Sequence, residues 1–353
     1  MMIRSLLTTI TLTAFLLPAM PAGAQVYPHR IRTLTRTVVE GRDVERYQGS
    51  RHQTETERIT KTVRLGESGE IQVSNLAGDI AVTRGSGNEV TIEAVKTGRG
   101  QTAEEARQAL QHVEVDIVER SGRVEIQTRY SRTADESRRG RRESSGSVAY
   151  SITAPEHARI TANSISGDLS VTGIKGDVSL ETISGDVRVA NAGRVTQAKT
   201  ASGDVEITDT TIEGTMDAAT ISGTMTLRNV KARRLDVGSV SGDVVLQNVD
   251  CERLDAQSVS GDVEMTGPLV KGGRYDLGSH SGEIRVTISG NVGFELDASS
   301  FSGSVRTDLE QFKITSTGGG NRGRQRSVSG TFGDASAFLD LTTFSGSIII
   351  GRQ

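Results

Sequence analysis

One short phrase, apolar-Ser-Gly-Asp-apolar-x-apolar, returns through the second half of the chain and constrains its fold more than any other feature. It first reads Ile165-Ser166-Gly167-Asp168-Leu169-Ser170-Val171 and recurs at residues 183–189, 201–207, 221–227, 240–246 and 259–265. Weaker copies stand at 280–286, 301–307 and 344–350. The Ser-Gly pairs begin at 166, 184, 202, 222, 241, 260, 281 and 302, so successive steps are 18, 18, 20, 19, 19, 21 and 21 residues. A period this short, with slack of a few residues, marks a solenoid whose coils stack while loops absorb the length differences.

Within the phrase a period of two predicts residues 165, 167, 169 and 171 on the inward face and Ser166, Asp168 and Ser170 on the outward one. A second apolar pair precedes the phrase at a fixed offset, as in Ile160/Ala162, Val178/Leu180, Leu235/Val237, Leu254/Ala256 and Leu339/Leu341. Like residues therefore fall above one another, and each coil contributes short parallel strands. The expected fold class is all-β, a single-stranded parallel β-helix with an N-terminal sheet-plus-short-helix cap. At roughly 4.8 Å per coil, nine coils make a stack on the order of 40 Å. Gly176, Gly193, Gly214 and Gly272-Gly273 are expected to turn the chain back half a coil later. A thin core of Val, Ile, Leu and Ala fits a chain with 3% aromatic residues and no tryptophan.

The Ser-Gly-Asp-Val repeats, the earlier Gly78-Asp79-Ile80-Ala81-Val82 and the closing Phe344-Ser345-Gly346-Ser347-Ile348 together resemble the bacterial "putative adhesin" β-strand-repeat domain family of unknown function. The resemblance covers roughly residues 60 to 351. It implies a β-repeat fold and supplies no catalytic residues.

Residues 1–24 read as a secretory signal peptide, with Arg4, an apolar core over 6–17 and Ala22-Gly23-Ala24 as the cleavage site. No cysteine stands directly after that site, where Gln25 follows Ala24, and no transmembrane segment is expected in the mature chain. Export to the periplasm, the cell surface or the extracellular space is expected. Residues 25–59 are polar and arginine-rich and read as an extended or disordered leader. Over 60–154 alternating strands surround a capping box at Thr102-Ala103-Glu104-Glu105, which predicts a helix near 103–112 and an N-terminal strand-rich cap. Residues 155–353 form the β-helix repeat domain, with a basic Gly-rich loop near 313–327.

Two arginine clusters are candidates for polyanion binding: Arg138, Arg139, Arg141 and Arg142 in one loop, and Arg322, Arg324 and Arg326 in the other. No aromatic residues interleave with them, so nucleic acid is not the expected partner. Asp168, Asp186, Asp204, Asp243, Asp262 and Glu283 form a column that Thr224 interrupts. Its simpler role is to bond backbone amides at the bend, and weak calcium ligation is the alternative. No cofactor is expected otherwise. The lone Cys251 reads as a small residue at a coil turn, with intermolecular pairing as the alternative. His280 reads as a partly buried replacement for Val or Ile.

Formal net charge is −3, so no global field selects a polyanionic partner. The five histidines follow no ligand spacing, and identical acids repeated along a stack lack the asymmetry that splits catalytic pKa values. The expected function is an exported, non-catalytic adhesin or scaffold that binds envelope or surface polymers or proteins. The alternatives are a polysaccharide lyase or hydrolase on a β-helix and an envelope protein that self-associates through solenoid ends, with Phe344 to Ile350 as the joining coil.

Overall fold

Each Ser-Gly-Asp phrase forms the corner between two short strands, and the corners stack. The computed structural model describes residues 53–131, 145–319 and 325–353, all within the unit Thr35–Gln353. A first column of parallel strands runs through Glu70–Ala77, Arg159–Ser166, Asp177–Ser184 and their successors; a second runs through Ile80–Arg84, Leu169–Thr172 and Val187–Ala190. Pairing is in register, with Leu180 beside Ala162 and Val187 beside Leu169. Inward residues such as Leu169, Val187, Val205 and Val244 are 0% exposed. Each such burial contributes about 1.5–3 kcal/mol.

At the corner the glycines stand on one another. A Cβ on Gly203 would lie 2.2 Å from the carbonyl oxygen of Gly185, and one on Gly185 equally close to that of Gly167. Only hydrogen fits there, and Gly203 holds φ +146°, which disfavours other residues further. The crowded carbonyls are not left bare. Thr200 Oγ1 donates to Gly185 O at 2.9 Å, Thr220 Oγ1 to Gly203 O at 3.0 Å and Ser258 Oγ to Gly242 O at 3.0 Å. A buried hydroxyl column therefore answers the carbonyl column. Ser164 Oγ has no partner, and the reason lies one coil away: Asn75 Nδ2 already donates to Gly78 O at 2.8 Å.

The corner also corrects the expected alternation. Thr182 is buried at 3%, Ile183 is 38% exposed and Ser184 is exposed as well. The chain bends between them, so the glycine backbone fills the inside of the corner and the preceding apolar residue is turned out. His280, expected to be partly buried, stands in this same outward column. The turn after the second strand uses Asn191, Asp209, Asn229 and Asn248, all at φ between 49° and 54°. Asn248 Nδ2 donates to Asn229 Oδ1 at 2.9 Å, and Asn229 Nδ2 to Asp209 Oδ1 at 2.8 Å. Cys251, expected at a turn, lies in the strand Asp250–Ser260 and is 1% exposed. Burial, reinforced by Asp250, pushes its thiol up to about 12. Inside the core it is out of reach of a second chain.

Stacking order departs from chain order at both ends. The strands Glu70–Ala77 and Ile80–Arg84 lie between the coil that begins at Arg159 and the strands Arg123–Tyr130 and Ser145–Ala154. Ser145–Ala154 continues into an antiparallel sheet with Glu89–Gly100 and Gln53–Arg64. The helix Ala103–Gln111, capped by Thr102 and Glu105, packs so closely on Gly98 that a Cβ there would meet Ala106 O at 2.2 Å. At the other end, Ala337–Ser345 and Ile348–Arg352 insert between the coil 274–289 and the coil 294–307. The glycines confirm this order, since Gly346 sits on Gly282 and Gly303 sits on Gly346. The last coil of the chain is thus an interior coil, and Phe344 to Ile350 is not a free end for joining copies. Lys313–Gly319 and Gln325–Phe332 form an antiparallel pair that covers Phe294–Ser300.

Two outcomes test this account. Gly203→Ala should lower unfolding stability by roughly 3 kcal/mol or more, whereas Gly214→Ala, with open space around it, should change it by less than about 1 kcal/mol; denaturant titration distinguishes them. Deleting residues 333–353 should open residues 290–332 to limited proteolysis while the coils before residue 270 stay protected.

Candidate binding surface

The rigid corners project their outer side chains in columns about 4.8 Å apart. Three columns dominate. The first is the Asp column of the phrase. Asp168 Oδ1 accepts the backbone N–H of Asp186 at 2.9 Å, Asp186 Oδ1 that of Asp204 at 2.9 Å, and Asp204 Oδ1 that of Thr224 at 2.7 Å. Beyond the interruption at Thr224, Asp243 Oδ1 accepts from Asp262 at 2.8 Å and Asp262 Oδ1 from Glu283 at 2.7 Å. One oxygen of each of these aspartates therefore binds the next coil. Arg188 spans two of the others, at 3.2 Å from Asp168 and 2.5 Å from Asp186. Among the described residues, no three His, Cys, Asp or Glu side chains cluster as a metal site.

A second acidic column crosses the flat face of the first strand column. Asp217, Asp236, Asp255, Asp276, Asp340 and Asp297 pair in register, in that spatial order. Lys199 binds Asp217 and Arg234 binds Asp236 at 2.9 Å. Asp276 is half-buried. Desolvation, then the neighbouring charges of Asp340 and Asp255, push its carboxyl up to about 6 against the opposing pull of Arg274. Asp340 is likewise raised, by burial first and then by Asp297. This column escapes a reading that looks only at the Ser-Gly-Asp phrase, yet its signal is plain: an Asp five residues before the serine, between the paired apolar positions, as in Leu235-Asp236-Val237 and Tyr275-Asp276-Leu277.

The third column is the outturned apolar corner. Leu76 (37%), Ile165 (46%), Ile183 (38%), Ile221 (37%), Val259 (41%), Phe344 (48%) and Phe301 (67%) are all exposed, with Ala201, Val240 and His280 at the matching positions. At one end the rings stack: His280 on Phe344 at 4.9 Å and Phe344 on Phe301 at 4.7 Å, both within 8° of parallel. Serines 184, 202, 222, 241 and 260 border the column on one side, and Ala219, Gly238, Gln257 and Gly278 on the other.

Of the arginines expected to bind polyanions, Arg326 is exposed at the start of Gln325–Phe332. Arg138, Arg139, Arg141, Arg142, Arg322 and Arg324 lie outside the described residues. A depression of about 300 Å³, open to solvent, is lined by Asp262, Val263, Glu264, Glu283 and Arg285. No described helix is long and apolar enough to cross a membrane.

The family model described as Toastrack DUF4097 matches residues 62–350. Comparison with curated proteins finds no match. Similar solved structures include a "putative adhesin" from Parabacteroides distasonis, with 11% identity and a TM-score of 0.42 over 84% of this chain and 97% of that one. A "putative adhesin" from Bacteroides fragilis gives 12% identity and a TM-score of 0.39 over 84% and 97%. A "putative lipid binding protein" from Parabacteroides distasonis gives 12% and 0.39 over 84% and 96%.

Because the folded state raises the Asp276 pKa above the ordinary aspartate value of 3.8, it binds that proton more tightly than the unfolded chain does. Its contribution to stability therefore falls as pH rises from about 4 to about 6. Asp276→Asn should raise Tm at pH 7.5, by roughly 2–4 °C, and leave it nearly unchanged at pH 4; thermal melts across that range check the sign.

Proposed function

The chain belongs to the Toastrack DUF4097 family, and we propose that it is an exported, non-catalytic adhesin-like solenoid that holds envelope or surface polymers or proteins. The observation that carries this reading is the repetition itself. Successive coils present the same kind of side chain in register, as in the Asp217-to-Asp297 column and the exposed apolar column. A partner with its own repeat can engage several coils at once, and linked weak contacts add through effective concentration. The signal-like residues 1–24 support export, to the periplasm or the cell surface.

The geometry does not favour a polysaccharide-cleaving enzyme. Asp276, whose carboxyl burial and like charges raise to about 6, sits in a column of like neighbours on a sheet face, whereas glycoside hydrolysis needs two carboxyls of unlike environment facing one bond. Calcium would act, if bound, through the second oxygens of Asp204, Asp243 and Asp262, whose first oxygens hold the next coil, since Arg188 takes those of Asp168 and Asp186.

The purified mature protein should retain intact glycans or envelope polymers on a binding array, with the same hits with and without calcium. Product analysis of each hit decides the class of function. Shortened polymer would replace this reading with the enzyme, and calcium-dependent hits would assign the phrase aspartates to a metal.

A further inference from the structure

Through Val240, Val259 and His280 the exposed apolar corner runs between two acidic columns, and through Phe344 and Phe301 one of the two continues. In the strand direction Asp236, Asp255, Asp276, Asp340 and Asp297 stand four residues before Val240, Val259, His280, Phe344 and Phe301, roughly 13 Å away. Past the corner, Asp243, Asp262 and Glu283 stand three residues after Val240, Val259 and His280. Among the described residues Asp243, Asp255, Asp262 and Asp297 make no ion pair closer than 4.0 Å. The shoulders between are small or uncharged from the coil at residue 215 onward: Ala219, Gly238, Gln257, Gly278 and Thr342 on one side, serines on the other.

This arrangement selects among occupants. An anionic lipid surface would meet two columns of its own sign, and so would a second copy of this chain laid corner to corner. The complement is an apolar stripe flanked by cations. Its spacing is also set. Exposed side chains recur about every 4.8 Å along the corner, while one face of an extended strand repeats at about 6.6–6.8 Å and falls out of step within two residues. A helix repeats its face every 5.4 Å, with i and i+3 or i+4 bracketing the coil spacing.

We propose that the apolar corner from Ile183 to Phe301 is the docking line for a cationic amphipathic helix of another polypeptide. Its apolar stripe lies on Ile183, Ile221, Val259, Phe344 and Phe301, and its flanking Lys and Arg side chains reach the two acidic columns. This assignment rests on the binding-module reading above and names a protein partner for one surface of it.

The test uses the full mature chain and three labelled peptides of about 24 residues, long enough as helices to span the line, in fluorescence anisotropy: a Leu/Lys amphipathic helix, the same peptide with Glu for Lys, and a Leu/Lys sequence scrambled to remove the stripe. The amphipathic Leu/Lys peptide should bind, and its affinity should fall on going from 50 to 300 mM salt. The other two should bind at least about tenfold more weakly. Ile183→Ser combined with Ile221→Ser and Val259→Ser alters exposed positions only and should weaken binding about tenfold or more. Asp243→Asn with Asp262→Asn keeps the acceptor for the next coil's amide and should weaken binding while flattening its salt dependence. Equal binding of the scrambled or Glu peptide, or no effect of the serine variants, overturns the proposal. So does a dimer in sedimentation velocity that the same serine substitutions dissociate, because a second copy would then cover the corner. Failure of all three peptides beside a positive polymer array would remove the helix and leave the binding module standing.

Discussion

At the corners from Gly167 through Gly346 the carbonyl of each glycine is crowded by the glycine Cα of the adjacent coil, and a buried hydroxyl donates to that carbonyl. The contact is too short for any side chain, as the 2.2 Å from a Gly203 Cβ to Gly185 O shows. Removing the Cβ lets backbone approach backbone, and the hydroxyl then prevents a polar group from being buried unsatisfied. Together they fix the spacing and the phase of each coil on the next. Because the phase is fixed, residues at equal offsets align over the whole stack, inside as a Val/Ile/Leu core and outside as columns. The surface chemistry is a projection of the corner.

Much of this was legible in the sequence because the repeat is a spacing, and spacing survives folding. The period, the parallel stacking, the Thr102 helix cap and the amide-binding side of the phrase aspartates can all be read from offsets. What failed was parity. A period of two run straight through residues 165 to 171 places Ile165 inside, but a bend at the corner resets which residues face inward, so Ile165 and its counterparts, His280 among them, face out. The Asp236 column is masked in the sequence because the apolar residues that bracket it carry the stronger periodic signal. Stacking order was illegible for a different reason. Every phrase can dock on every other, so nothing local marks Gly346 as the neighbour of Gly282 instead of Gly303.

The two acidic columns show how placement alone changes the same residue. In the phrase, an aspartate oxygen replaces solvent with a backbone N–H, and an arginine such as Arg188 answers the other. On the flat face Asp276 has similar neighbours above and below and is half-buried, so its charged form is disfavoured. A repeat protein can therefore hold one column as structure and leave another as electrostatic surface with no change in residue type.

The interior position of the last coil bears on how the molecule is made. A polypeptide emerges from the ribosome or an export channel from its N-terminus, and most solenoids can add each coil as it arrives. Here residues 294–307 emerge before residues 337–352 but must dock on them. The edge of the coil 274–289 therefore stays open until residues 337–352 are free to pair with it. The coil 294–307 is thereby made dependent on a segment some thirty residues downstream, and the stack closes at this end out of chain order.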